Sequence, residues 1–169
     1  MECRPAIKND LTEINSMYKD IVKNMIKNGF TNWDDIYPFC MFEEDIRNKN
    51  LYVIVHNNEV VACFALLDTV MGQDEIIWED LNTKAMYLSR LGVNTKYLKQ
   101  GIGALAVDHA KRITKEKGCD YLRLFVVDFN KPALNLYLKS GFKQATGEYS
   151  KESTSDDNYL LEYAYEIKV

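Results

Sequence analysis

The stretch YLSRLGVNTKYLKQGIGALAVDHAKR, residues 87–112, predicts a β-strand, a glycine-containing loop and an α-helix in succession. We call residues 99–104 the glycine loop. A helix that begins near Gly101 and Gly103 presents unpaired backbone N–H groups and the positive end of its dipole. Because glycine has no side chain, a phosphate can approach this backbone closely. The stretch therefore predicts an anion-binding site at the start of the helix.

The composition is that of a soluble protein of ordinary size. The chain has 169 residues, of which 47% are hydrophobic and 27% charged, so we expect a single domain over residues 1–169. A net charge of −4 argues against a nucleic-acid partner. No apolar run approaches the length of a membrane span, which predicts no membrane partner and a cytoplasmic location. The sequence is compatible with either a monomer or a homodimer.

The four cysteines give no sign of a metal site. Cys3, Cys40, Cys63 and Cys119 are scattered, without a Cys-x-x-Cys pair or a paired histidine spacing. Three of them lie in or beside apolar runs. We expect no bound metal, and we expect the cysteines to be reduced, buried thiols.

The hydrophobic pattern predicts a mixed α+β fold. Strands are predicted at residues 2–7, 51–56, 60–67, 85–93, 121–127, 142–149 and 159–168, and helices at 10–27, 43–48, 101–117 and 131–140. Asp10 is expected to cap the first helix, and Asn57-Asn58 to form a hairpin turn. The strand at 121–127 is interpreted as fully apolar and buried on both faces. This order predicts an antiparallel meander, one βαβ crossover and a terminal hairpin.

The glycine loop also fits the dinucleotide-binding pattern G-x-G-x-x-A. Asp128 lies at about the position where that pattern expects the acid that binds the ribose. That pattern expects its strand to end directly against the first glycine, whereas residues 94–100 intervene here. It also requires further βαβ units, which the chain lacks. A dinucleotide site is therefore disfavoured, and a purely structural loop is the other alternative.

A second motif, VVDFNKPALNLYLKSGF, covers residues 126–142. It matches the helix pattern N-x-x-A-x-x-L-Y-x-x-x-G-F of the GNAT N-acetyltransferases, and the glycine loop resembles their acetyl-CoA pattern Q/R-x-x-G-x-G/A. The matching residues of the helix are Asn130, Ala133, Leu136, Tyr137, Gly141 and Phe142. The chain departs from the loop pattern at Leu98, where the family has Gln or Arg; Lys99 and Gln100 are neighbouring polar residues.

The resemblance implies a mostly antiparallel sheet with helices on both faces and one parallel strand pair that splays at the acyl-CoA site. It implies acetyl-CoA as cosubstrate, with no metal. In such a fold the backbone around Gly92 would bind the pantetheine arm, and the glycine loop the pyrophosphate. The residues implied for the cosubstrate are Leu91, Gly92, Val93, Lys99, Gln100, Gly101, Ile102, Gly103, Ala104 and Asn130. Leu91 and Val93 can equally be core residues, and Asn130 can equally be a helix cap.

For catalysis, the resemblance implies that the Tyr137 hydroxyl protonates the coenzyme sulfur while an amine attacks the thioester directly. Tyr137 can also be a core residue. The general base is not identified. The position of a family glutamate is Phe125 here, which leaves Glu79, Asp80, a residue elsewhere in the chain or an ordered water.

The acceptor is expected to be a small-molecule or peptide amine. Trp33, Tyr37 and Glu79 are the candidate substrate-binding residues, with Phe39 and Phe42 in the same aromatic group. Asp34, Asp35, Asp156 and Asp157 are further candidates to attract an ammonium group. A non-catalytic acyl-CoA sensor on the same fold is the competing hypothesis, because Leu98 and the missing carboxylates depart from an active enzyme.

Overall fold

The computed structural model describes residues 1–152 and 159–169, and describes residues 151 and 152 by their backbone alone. The described chain forms two compact units. Unit 1 comprises Met1–Ala65 and Arg90–Ala106, and unit 2 comprises Leu66–Ser89 and Val107–Val169. That the whole chain acts as a single domain stays a prediction.

Each predicted strand and helix is present. The strands are β1 (Glu2–Pro5), β2 (Leu51–His56), β3 (Glu59–Leu67), β4 (Ala85–Val93), β5 (Tyr121–Val127), β6 (Lys143–Glu152) and β7 (Tyr159–Lys168). The helices are α1 (Leu11–Lys27), α2 (Phe42–Arg47), α3 (Ile102–Glu116) and α4 (Lys131–Lys139). The largest difference is in β6, which runs three residues further than predicted.

The strands have the order β1-β2-β3-β4-β5-β7-β6 in one seven-stranded sheet. β4 and β5 are parallel, joined through α3, while the pairs β1–β2, β2–β3, β5–β7 and β6–β7 are antiparallel. The predicted fold class, a mostly antiparallel sheet with one parallel pair, is confirmed.

In unit 1, α1 packs an apolar stripe into the core. Ile14, Met17, Tyr18 and Ile21 are buried, and their spacing of three and four residues places them on one helix face. The predicted β2–β3 hairpin is confirmed: Asn57 and Asn58 have positive φ angles of 50° and 61°, as a two-residue turn of this type requires.

The predicted cap at Asp10 was wrong in its contacts. Asp10 precedes α1, but its carboxylate makes no cap hydrogen bond to the helix. It accepts hydrogen bonds from Arg4, at 2.7 and 2.8 Å, and from the backbone N–H of Ile7 at 2.8 Å. A charged guanidinium on β1 is a stronger partner for the carboxylate than a neutral amide of the first helical turn.

In unit 2, the interpretation of β5 as fully apolar was also wrong. Arg123 occupies the middle of β5 and is only 5% exposed. Its Nε lies 3.2 Å from a carboxylate oxygen of Glu166, a residue of β7 that is equally buried. Because β5 pairs with β7 so that Arg123 faces Glu166, the two charges compensate each other inside the sheet.

The cysteines of the chain are free thiols, but only Cys63 is buried. Cys3 and Cys119 are half-buried and Cys40 is exposed. The expectation of buried thiols was therefore wrong for three of the four. Cys3 lies on β1, an edge strand of the sheet, and Cys40 and Cys119 lie outside the strands and helices given above, where packing covers them less completely.

Candidate active site

Strand β4 has an irregular backbone at Arg90. Its φ angle of +52° lies in the left-handed region, which costs a non-glycine residue roughly 1–2 kcal/mol. The parallel ladder pairs residues 85–88 of β4 with residues 121–124 of β5, and it ends before Arg90. Leu91 and Val93 follow the irregular residue, are half-buried and belong to no pair of this ladder. Their backbone groups are therefore candidates for pairing with a ligand.

Three side chains of unit 1 hold Arg90 in this conformation. The buried Tyr18 hydroxyl donates a hydrogen bond to the Arg90 carbonyl oxygen. The Arg90 guanidinium contacts both carboxylate oxygens of Asp45, at 2.7 and 2.8 Å, and hydrogen-bonds with the side chain of Tyr37. Burial raises the pKa of Tyr18 well above its usual value, so the hydroxyl keeps the proton that it donates. These contacts offset the strain at Arg90.

Gly92 packs closely against the Tyr18 ring. A Cβ at this position would lie 2.7 Å from the Tyr18 Cζ, 2.8 Å from its hydroxyl oxygen and 3.0 Å from the Ile21 Cδ1. No side chain fits in that space. The close approach of α1 to β4 therefore requires glycine here, whichever role the Gly92 backbone has toward a ligand.

The segment between β4 and the glycine loop is held by Glu59 at the start of β3. The Glu59 carboxylate accepts hydrogen bonds from the Lys96 Nζ and the Tyr97 hydroxyl, both at 2.8 Å. These bonds lower the pKa of Glu59. The Asn94 side chain caps the following turn by accepting from the Lys96 N–H at 3.1 Å, and the Asn94 N–H donates to Val61. The approach to the glycine loop is thus fixed to the β2–β3 hairpin.

The glycine loop has the conformation of an anion-binding helix start. Lys99 and Gly101 have φ angles of +61° and +81°, and Lys99, Gln100 and Gly101 are exposed. The first helical hydrogen bond runs from the Leu105 N–H to the Gly101 carbonyl oxygen, at 3.0 Å. The N–H groups that precede it are those of Ile102, Gly103 and Ala104, as expected for a helix start that can bind a phosphate.

The structure adds two details of this loop. A Cβ at Gly101 would meet no atom within 4 Å, so its positive φ, rather than lack of space, requires glycine. The Gln100 side chain donates to the Lys96 carbonyl oxygen at 3.1 Å and so helps to shape the loop. The residues suited to hold a pyrophosphate are therefore the backbone of residues 101–104 and the exposed Lys99.

The aromatic segment, residues 28–42, packs around Tyr18. The ring centroids of Trp33, Phe39 and Phe42 lie 5.5, 6.5 and 4.7 Å from that of Tyr18. Phe42 is fully buried, whereas Trp33 and Tyr37 are half-buried. The structure brings the predicted Trp33 and Tyr37 together with β4 within unit 1, and each has a surface that can contact a ligand.

Two of the four acidic residues predicted to attract an ammonium group, Asp34 and Asp35, lie in the aromatic segment. The Asp34 carboxylate accepts hydrogen bonds from the backbone N–H groups of Ile36 and Tyr37, both at 2.8 Å, and so shapes the aromatic segment. Asp35 is exposed. Asp156 and Asp157 lie outside the described residues.

In unit 2, the second motif forms α4. The Asn130 side chain accepts a hydrogen bond from the Ala133 N–H at 3.3 Å. Asn130 therefore caps α4, one of the two roles expected for it. Tyr137 is 8% exposed, and its ring centroid lies 5.8 Å from that of Phe142. Burial raises the pKa of Tyr137, so its hydroxyl stays protonated at neutral pH. A core tyrosine and a proton donor are both compatible with this environment.

Glu79 is exposed in the connection between β3 and β4, which contacts the Arg123–Glu166 pair. The Glu79 N–H donates to the Glu166 carboxylate at 2.6 Å, and the Glu79 side chain hydrogen-bonds with Tyr121. Arg123 donates to the Asp80 carbonyl oxygen at 2.7 Å and stacks on Trp78, 4.5 Å from the ring centroid. Glu79 is therefore a positioned carboxylate.

The sequence interpretation missed Arg90, Tyr18 and Asp45, which shape β4, and the Arg123–Glu166 pair. The signal was present in two of these cases, because an arginine inside an otherwise apolar strand needs a buried acceptor. Which carboxylate serves each arginine depends on contacts across 45 and 43 positions of sequence.

Comparison with known proteins identifies the family. Residues 14–142 match the Acetyltransferase (GNAT) family, and the chain belongs to it. It is 30% identical over 119 residues, 70% of its length, to GCN5-related N-acetyltransferase 7, chloroplastic, of Arabidopsis thaliana, of which the match covers 42%. It is 36% identical over 69 residues, 41% of its length, to thialysine N-epsilon-acetyltransferase of Bos taurus, of which the match covers 39%. The matches thus span about two fifths of these relatives.

The fold is shared with solved structures of the same family. A GNAT-family acetyltransferase of Streptococcus agalactiae superposes with a TM-score of 0.81 over 99% of this chain and 95% of its own, at 18% identity. None of the helices within residues 1–152 and 159–169 combines the length and the hydropathy that a membrane span requires. The same residues contain no cluster of three or more His, Cys, Asp or Glu side chains arranged to hold a metal ion.

Proposed function

We propose that this chain is an acetyl-CoA-dependent N-acetyltransferase that transfers an acetyl group to a primary amine. The observation that carries the proposal is the irregular β4 backbone at Arg90, followed within one unit by a glycine loop at the start of α3. A strand that leaves its ladder offers hydrogen bonds to an extended ligand, and the helix start offers them to a phosphate. An acyl-CoA contains both groups.

The backbone of Leu91 and Val93 would bind the amides of the pantetheine arm, with Gly92 between them allowing Tyr18 to support the strand. The N–H groups of Gly101, Ile102, Gly103 and Ala104, with Lys99 and Gln100 nearby, would bind the pyrophosphate. Asn130 would contact the pantetheine arm in addition to capping α4. Leu98 offers no charged group, so the loop backbone and Lys99 would supply the attraction.

Acetyl-CoA supplies an acetyl group already activated as a thioester. In the proposed reaction the amine nitrogen attacks the carbonyl carbon, the carbon–sulfur bond breaks, and the coenzyme leaves as a thiolate. A backbone N–H of β4 would stabilise the developing oxyanion. The Tyr137 hydroxyl would donate a hydrogen bond to the thiolate; because its pKa is raised above 10, this bond stabilises the sulfur anion until a proton is supplied. The amine proton would leave to water or to a carboxylate.

The acceptor would be a small-molecule or peptide amine. Trp33 and Tyr37 offer aromatic surface that can contact the body of an amine, and an ammonium group is attracted to such rings. Glu79, held by Tyr121, would bind a second positive group of the acceptor. Similarity to a protein named thialysine N-epsilon-acetyltransferase supports an amine acceptor in general.

Calorimetry and a thiol-release assay test the proposal together. We expect the chain to bind acetyl-CoA and to release coenzyme A thiol when lysine, spermidine or an N-terminally free peptide is added, above the rate with acetyl-CoA alone. Absence of acetyl-CoA binding would refute the coenzyme site. Binding with no transfer to any amine would refute the enzymatic proposal and favour an acyl-CoA sensor.

A further inference from the structure

Unit 1 contains a buried ion pair that the proposed reaction does not use directly. The Arg90 guanidinium lies 2.7 Å from a carboxylate oxygen of Asp45, and the two side chains are 4% and 5% exposed. Removing two charges from water costs several kcal/mol, which their mutual attraction does not always repay. A buried pair of this kind is therefore weak evidence for a gain in stability. We look instead to the groups that the pair holds in position.

Arg90 connects two parts of the proposed site. Its backbone belongs to β4, where φ is +52° and the carbonyl accepts from Tyr18. Its side chain hydrogen-bonds with Tyr37 in the aromatic segment. One residue thus joins the strand proposed for the coenzyme to the segment proposed for the amine.

The choice of arginine fits this task. A guanidinium is planar and carries five N–H donors in fixed directions, so it can bond Asp45 and Tyr37 at the same time. The Asp45 carboxylate on α2 pairs with the guanidinium and holds it in place. Burial raises the pKa of Asp45, and Arg90 opposes that rise. The Tyr37 hydroxyl is engaged by Arg90, which leaves the ring as the surface for a ligand.

We propose that Arg90 is a positioning residue, which holds Tyr37 and with it the aromatic segment against β4, so that the acceptor amine is presented to the thioester. The inference rests on the proposed function. It assigns Tyr37 a role through its hydrogen bond with Arg90, distinct from direct hydrogen bonding to the amine. Asp45 supports the same arrangement from α2.

A double-mutant cycle tests this role. The probe is whichever of lysine, spermidine and the N-terminally free peptide gives the highest turnover. Tyr37→Phe keeps the ring and removes the hydroxyl. We expect the KM for the amine to rise about tenfold, the loss of one charge-assisted hydrogen bond, with kcat and the acetyl-CoA Kd changed less than about twofold. In an Arg90→Gly background, the same substitution should change the amine KM less than about twofold, because the partner is already absent.

Glycine at position 90 can adopt the positive φ, and Arg90→Asn is the second background, since asparagine also adopts this conformation. The matched control is Arg4→Gln, which removes another guanidinium–carboxylate pair from unit 1 and should leave the amine KM and the acetyl-CoA Kd within about twofold of the unmodified chain.

A tenfold effect of Tyr37→Phe on the amine KM in both backgrounds would show that Tyr37 acts without Arg90 and would overturn the inference. An unchanged KM in Tyr37→Phe alone would also overturn it. Failure of the unmodified chain to acetylate any amine would instead refute the proposed function, and would be seen before any variant is compared.

Discussion

The hydroxyl of Tyr18, on α1, donates a hydrogen bond to the carbonyl oxygen of Arg90, inside β4. The same hydroxyl lies 3.2 Å from the Cys63 carbonyl oxygen on β3. Tyr18 is fully buried, and its ring occupies the space that a side chain at position 92 would need. A helix residue thus fixes the one part of β4 whose backbone departs from regular strand geometry.

Tyr18→Phe is expected to leave the Arg90 carbonyl without its buried donor. The free energy of unfolding should fall by about 1–3 kcal/mol, the cost of an unsatisfied buried polar group. Because the coenzyme would bind the same strand segment, acetyl-CoA affinity should fall as well. Urea unfolding and calorimetry measure the two effects. Lower stability with unchanged affinity would mean that this part of β4 does not bind the coenzyme.

Gly101→Ala is expected to destabilise the fold by about 1 kcal/mol, because alanine is disfavoured at a φ of +81° although space is available. Gly118→Ala is the matched control, since Gly118 has a φ of +74° and equally open surroundings. Both variants should lose similar stability in thermal unfolding. Only the Gly101 variant should bind acetyl-CoA more weakly, and equal affinities in the two would argue against a role of Gly101 in phosphate binding.

Gly103→Asp would place a carboxylate in the first turn of α3. A negative charge at a helix start is favourable by about 0.3–1 kcal/mol, so the melting temperature should hold or rise. The same charge should repel the pyrophosphate and weaken acetyl-CoA binding by at least about tenfold. Gly103→Asn, of nearly the same size but uncharged, separates repulsion from bulk. Unchanged affinity of the aspartate variant would make the glycine loop purely structural.

Tyr137→Phe keeps the ring that packs on Phe142 and removes the hydroxyl. If the hydroxyl stabilises the leaving thiolate, turnover should fall by about 100-fold or more with little change in acetyl-CoA affinity. If it is a structural donor instead, the free energy of unfolding should fall by about 1 kcal/mol and turnover should stay near normal. Single-turnover acyl transfer and the unfolding midpoint distinguish the two roles.

The Arg4–Asp10 pair predicts a pH dependence of stability. The hydrogen bond from Arg4, with that from the Ile7 N–H, lowers the pKa of Asp10 below its usual value of about 3.9. The pair therefore contributes stability above pH 4 that is lost as the pH falls through the lowered pKa. We expect Asp10→Asn to be less stable than the unmodified chain at pH 6, and the difference in urea midpoint to shrink at pH 3. A difference independent of pH would contradict the ionic role of Asp10.

Much of the fold could be predicted from local patterns. The Asn57-Asn58 turn, the glycines that follow α3 and α4, and the bounds of β4 and β5 each depend on backbone preferences of a few adjacent residues. The glycine loop and the α4 motif pointed to the GNAT family for the same reason, since each is a contiguous pattern. The roles of Asn130, Tyr137 and Glu79 toward a ligand stay predictions.

Other features of the fold depend on contacts between residues far apart in the sequence. No neighbouring residue in the sequence predicts a positive φ at Arg90. The contacts that hold this conformation come from Tyr18, Tyr37 and Asp45, which lie 45 to 72 positions away. The burial of Arg123 likewise follows from the register that sets it opposite Glu166. The strands, the helices and the family motifs could be predicted from the sequence, because they depend on short-range steric preferences. The irregular backbone of β4 could not be predicted in this way. A strained backbone and a buried charge persist only where groups distant in the sequence compensate them in the folded protein.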